Sequence, residues 1–188
     1  MQNSTRVTDY LIMDLDEQFC PKKWNCFIEY DWAAEYFWHF IQGLQALESE
    51  LYIPGVLSLI AGIETSIRHT LHRIKHDHFP FEDDLGSTLS NGLLRQARDA
   101  GIPVQLLAFP DEPNFSSDLD TKTPVRLVMM RNKLAHGNVQ SFIIRELGDD
   151  CALFTPECLR EIAAVLEKIS YTWMEGLDSY RKSRHAEG

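Results

Sequence analysis

Residues 55–76 read GVLSLIAGIETSIRHTLHRIKH, and this stretch decides the fold. Leu57, Ile60, Ile63, Ile67, Leu71 and Ile74 recur at steps of three and four. That is the period of a helix with one apolar face, not the alternation of a strand. Glu64 lies inside the same stripe. Pro54 stands just ahead, where a first helical turn tolerates proline, and Phe79-Pro80 ends the run.

The flanking segments repeat the pattern. Residues 31–47 place Ala34, Phe37, Trp38, Ile41, Leu44 and Ala46 on a helical stripe. Ser87 or Thr88 caps a third helix that runs to Ala100, and Gly101 closes it. Thr123-Pro124 pairs a cap with an N1 proline and opens a helix holding Leu127, Val128 and Met130, which ends near 135–137. Thr155-Pro156 opens the last helix in the same way, with Leu159, Ile162, Leu166, Ile169 and Trp173 as its buried stripe. The charged tail from Arg181 is expected to fray. Between the last two helices, residues 142–147 and 151–154 flank Gly148-Asp149-Asp150 and read as a small hairpin. Residues 103–122 are long for a structureless link, so they either pack as a flap or hide a short element. The first 25 residues carry no clear assignment beyond a turn at Pro21. The expectation is a single all-α domain over 1–188, a four- or five-helix bundle with its core at about 30–178 and a minor β-hairpin at 142–154.

Composition bounds the function. The chain has 188 residues, 44% of them hydrophobic, enough for a core without staples. Its net charge is −10, and residues 1–50 alone carry nine acidic against three basic side chains. A large nonspecific DNA binder or a polybasic membrane module does not have this balance, although a local nucleic-acid patch is compatible with it. Asp14, Asp16 and Glu17 interrupt the early apolar patch, and no apolar run approaches the length of a bilayer crossing. A soluble cytoplasmic protein with no signal peptide is expected. Cys20, Cys26, Cys151 and Cys158 form no CxxC unit and read as reduced thiols, with zinc possible only if the fold gathers all four. No phosphate-binding Walker loop, dinucleotide fingerprint or G-x-S-x-G elbow is present, and no cofactor is expected. His72 and His76 stand four apart, the spacing of two zinc ligands, but Arg73 and Lys75 oppose a cation and the glutamate of H-E-x-x-H is missing. With His69, His78 and Arg68 they make the most basic stretch of the chain, either a wet helix face or a support for an RNA backbone. Trp24, Trp32, Trp38 and Trp173 lie within or beside helical stripes and read as core or interface residues.

The sharpest chemistry is the run RNKLAHG at 131–137. It sets Arg131, Asn132, Lys133 and His136 at the end of a helix. Histidine is the side chain suited to move a proton near neutrality. Arginine clamps a phosphate and stabilises charge developing on it, and an asparagine can orient either group. RNA brings its own nucleophile, the 2′-OH, so no metal is required. Residues five apart on a helix differ by about 140° around the axis, so Arg131 and His136 do not face one another on a continuing helix. Either the chain bends at His136-Gly137 or two copies build one pocket across a two-fold axis.

RNKLAHG resembles the R-x4-6-H signature of the HEPN superfamily, here Arg131, four residues, then His136. The resemblance implies a small helical bundle that dimerises so that two motifs form a composite cleft. It implies metal-independent RNA cleavage of the kind found in toxin–antitoxin and antiviral defence systems. Arg131 and His136 would then be catalytic, with Asn132 assisting, Lys133 near phosphate, and Glu64 supporting the site from an earlier helix beside Arg68. The implied partners are RNA, a second copy of the chain, and an antitoxin or defence-complex protein, with no membrane. Some HEPN-like proteins are noncatalytic interaction modules, and that is the rival expectation. Glu64 and Arg68, four apart, also read as a simple structural ion pair.

Overall fold

The computed structural model describes residues 34–76, 88–143 and 153–186. Among them are six α-helices and no strand. They are α1 (Ala34–Glu48), α2 (Tyr52–Lys75), α3 (Asn91–Asp99), the single turn α4 (Phe115–Asp118), α5 (Arg126–Ala135) and α6 (Arg160–Ala186). The chain is all-α, and no described helix is long and apolar enough to cross a membrane.

The long helix sits at the centre. Val56, Leu59, Ile60, Ile63, Ile67 and Leu71 of α2 are buried, and so are the polar Glu64, Ser66, His69, Thr70 and His72. This burial extends beyond one stripe because helices cover α2 on more than one side. Leu57 and Ile74, expected in the stripe, are only partly covered. The helix also starts at Tyr52 rather than Gly55, so Pro54 falls within its first turn.

α1 runs antiparallel to α2, with Leu47 against Gly55, Leu59 against Gly43 and Phe40 against Gly62. A Cβ on Gly62 would stand 2.9 Å from the Phe40 ring, so the absence of a side chain sets the approach of these helices. The turn between them is a Schellman closure. Leu51 N–H donates to Ala46 O at 2.8 Å and Glu50 N–H to Leu47 O at 3.0 Å, with Glu50 at φ 59.

α6 runs parallel to α2, fixed by three side-chain bonds in rising order along both. Arg160 Nε donates to Tyr52 Oη at 2.9 Å, Trp173 Nε1 to Ser66 Oγ at 2.9 Å, and Arg181 Nη2 to Thr70 Oγ1 at 2.5 Å. Trp173 is fully buried, and its indole N–H finds the hydroxyl that an apolar core would deny it. The sequence reading expected fraying from Arg181; the structure draws helix through this stretch. Helix α6 continues to Ala186, and Arg181 also donates to Tyr36 Oη at 2.8 Å.

Several boundaries differ from the sequence reading for tertiary reasons. The cap of α3 is Ser90, whose side chain accepts from Leu93 N–H, not Ser87 or Thr88. α5 starts at Arg126, not at Thr123-Pro124, because remote side chains satisfy its first donors. Val125 N–H donates to Asn91 Oδ1 at 3.1 Å and Arg126 N–H to Glu112 Oε1 at 2.6 Å. Residues 103–122 are not a structureless loop. They hold a 3-10 turn at Val104–Leu107 and α4, and they bury Leu107, Phe109, Phe115 and Leu119. Arg98 clamps this stretch to α3 through both oxygens of Asp120, at 2.9 and 3.0 Å. The expected hairpin lies mostly outside the described residues, and at its start Phe142 closes a 3-10 turn, Gln140–Phe142. Phe79-Pro80, His78, Trp24, Trp32, Cys20, Cys26 and Cys151 also lie outside the described residues.

Candidate active site

α5 carries the motif and ends inside it. Its last helical residue is Ala135, His136 is the C-cap at φ −98 and ψ 8, and Gly137 takes φ 69. Asn138 N–H donates to Lys133 O at 2.8 Å and Gly137 N–H to Leu134 O at 3.2 Å, a Schellman closure. Glycine enters the left-handed region at the least steric cost, so Gly137 suits the position at which the helix stops. Leu127, Val128, Met130 and Leu134 bury the inner face of α5.

This anchoring points Arg131 inward. Its Nε lies 3.6 Å from Glu64 Oε2, and the other carboxylate oxygen accepts from Arg68 Nη1 at 2.9 Å. Glu64 is 8% exposed. One nearly buried carboxylate on α2 therefore stands between two guanidinium groups, and its nearer partner is the one on its own helix. Arg131 Nη1 also reaches Asn132 Oδ1 at 3.4 Å. Asn132 and His136 are exposed, and Lys133 is half-buried. No hydrogen bond joins His136 to Arg131. The chain does turn at Gly137, yet the turn follows His136 and leaves its side chain outside the Arg131–Glu64 pair.

The structure thus links Glu64, Arg68, Arg131 and Asn132 through side-chain contacts that His136 and Lys133 do not join. It adds His39, a residue the sequence reading did not single out. His39 sits on α1 and is half-buried, and its backbone carbonyl accepts from Ser58 Oγ at 2.8 Å. Burial pushes the His39 imidazole below its ordinary value of 6.5, and the Glu64 carboxylate opposes that shift. The only signal for it in the sequence is a titratable side chain set between the aromatic Trp38 and Phe40.

Elsewhere, His72 and His76 lie ring to ring at 4.6 Å, and His69 packs edge-on against Tyr36 at 5.4 Å. Among the described residues no three His, Cys, Asp or Glu side chains come together in a way that could hold a metal ion. In comparison with known proteins, no family model, curated protein or solved structure matches this chain.

Proposed function

We propose that this chain is a metal-independent endoribonuclease of HEPN type, acting as a homodimer whose cleft takes side chains from both copies. The observation that carries the reading is the Glu64–Arg131 pair. A buried carboxylate on the central helix orients the motif arginine, while Asn132 and His136 stay exposed at the same helix end. In the proposed reaction His136 takes the proton of a ribose 2′-OH. The 2′ oxygen attacks the adjacent phosphorus, and the bond from phosphorus to the 5′ oxygen breaks. The leaving 5′ oxygen takes a proton from solvent water. Arg131 holds the non-bridging oxygens as charge develops on them. The products are a 2′,3′-cyclic phosphate and a 5′-OH. The contacts of Arg131 within one chain go to Glu64 and Asn132 and not to His136, which favours a site completed by a partner copy. A toxin or antiviral role, with an antitoxin or defence-complex partner, accords with such an activity.

A second reading is a noncatalytic HEPN-like interaction module. The commitment of Arg131 to Glu64 favours it, because a guanidinium held by protein is less available to phosphate.

The test is incubation of wild-type and His136→Ala protein with single-stranded and structured RNAs in EDTA, with analysis of product ends. Cleavage to cyclic phosphate by wild type, reduced at least about 100-fold in the variant, is the expected result. Equal cleavage by both proteins overturns the assignment, and no cleavage by either favours the interaction module.

A further inference from the structure

Glu64 serves two arginines unequally. Its Oε1 accepts from Arg68 Nη1 at 2.9 Å, while its Oε2 stands 3.6 Å from Arg131 Nε, beyond hydrogen-bond range. The tight partner lies four residues on along the same helix, with the carboxylate first, the order that favours an ion pair on a helix face. The loose partner comes from α5. Arg131 is lightly held elsewhere too. Its Nη1 meets Asn132 Oδ1 at 3.4 Å, and its Nη2 donates in no hydrogen bond among the described residues.

Burial makes this asymmetry matter. The Glu64 side chain is 10% exposed, against 21% for Arg68 and 26% for Arg131. A carboxylate so deep keeps its charge only while a cation or donor stays with it. His39 also feels this carboxylate, but burial pushes its imidazole below 6.5, so it carries little charge at about pH 7. The bond from Arg68 lies wholly within α2 and does not depend on α5. It meets the need of Glu64 whether or not Arg131 stays.

We propose that Arg68 is a positioning residue for Arg131. By holding one oxygen of Glu64 it keeps the carboxylate satisfied, and Arg131 is free to exchange a loose contact for a phosphate oxygen of RNA. The phosphate in this proposal rests on the nuclease reading, whereas the hold rests on the side-chain geometry. Without Arg68, the charge of Glu64 falls to Arg131. The two then close into a short two-pronged pair, the arrangement in which guanidinium and carboxylate bind most strongly. An arginine held in that way is withheld from substrate. Arg68 itself touches no reacting atom.

Denaturant unfolding of the intact chain reads the hold. Glu64→Gln and Arg131→Gln, singly and together, give the coupling between these side chains, once with Arg68 present and once in Arg68→Gln. Expressed as an equilibrium constant, the coupling is expected to rise about tenfold when Arg68 is removed. An unchanged or smaller coupling overturns the proposal. Cleavage of single-stranded and structured RNAs in EDTA reads the consequence, with rates taken per folded molecule from the same unfolding curves. Arg68→Gln should lower kcat/KM about tenfold or more, and Arg68→Lys, which keeps a cation beside Glu64, should recover most of it. The decisive variant is Glu64→Gln/Arg68→Gln. Removing the carboxylate charge as well releases Arg131, so this protein should cleave faster than Arg68→Gln alone. A double variant no faster than the single one overturns the proposal, because it reduces Arg68 to a structural ion pair. Absence of cleavage by every protein, wild type included, is instead a failure of the nuclease reading; the coupling then decides by itself whether Arg68 sets the hold on Arg131.

Discussion

Glu64 carries more of this structure than any other polar side chain near the motif. It bridges α2 to α5, and its removal takes the shared carboxylate from two guanidinium groups, Arg68 and Arg131. Glu64→Ala should destabilise the fold by about 1–3 kcal/mol, below the loss for fully buried pairs because Arg68 and Arg131 both reach solvent. Denaturant unfolding measures this, and an unchanged midpoint would show that the carboxylate does not hold the helices together. His39 gives a pH signature. Its folded value lies below the ordinary 6.5, so the unfolded chain binds the proton more readily. Its contribution to stability is then present above pH 6.5 and is lost as pH falls through the folded value. Melting curves across that range should show wild type losing Tm more steeply than His39→Gln; parallel curves would remove His39 from the account. The Glu64–Arg68 half of this site was legible, since side chains four apart share a helix face. The Arg131–Glu64 contact spans 67 positions and followed only from the family resemblance. His39 was not legible, because nothing in its neighbours along the chain says that it is half-buried or that it feels the charge of Glu64.

Helix identity was read more easily than helix ends. The stripes of α1, α2 and α6 are local patterns, and Thr155-Pro156 marks its turn with residues adjacent in the chain. The start of α5 was misplaced because Asn91 and Glu112 supply its terminal acceptors from other parts of the fold. The single turn α4 was missed because Phe115 and Leu119 are too few to form a periodic pattern. Close helix contact was also invisible as such: Gly62 reads as a weak point in a helix, whereas it admits the Phe40 ring. An exposed glycine-to-alanine change in a helix gains about 1 kcal/mol. Here Gly62→Ala should instead cost about 1–3 kcal/mol through overpacking, because the Phe40 ring is fully buried and has no room to retreat. A denaturation midpoint equal to or above wild type would show that the α1–α2 approach is not set by this contact.

Under the proposed function the whole molecule works as a pair. If each cleft takes Arg131 from one copy and His136 from the other, co-expressed Arg131→Ala and His136→Ala chains should complement. Random pairing gives half mixed dimers with one intact cleft each, so about one quarter of wild-type cleavage should return. Sedimentation should show a mass near twice 21.7 kDa. Absence of complementation from a confirmed dimer would place each site within a single chain. The parallel pairing of α2 with α6 has its own consequence. Parallel neighbours cannot be joined by a short turn, and here the partner that buries Trp173 against Ser66 is made more than a hundred residues after it. A nascent chain on the ribosome therefore displays α2, with its isoleucines and leucines, long before α6 arrives to cover it. Residues 160–177 are the late keystone, and a nonsense codon ahead of them would yield a product for the quality-control proteases rather than a weakened protein.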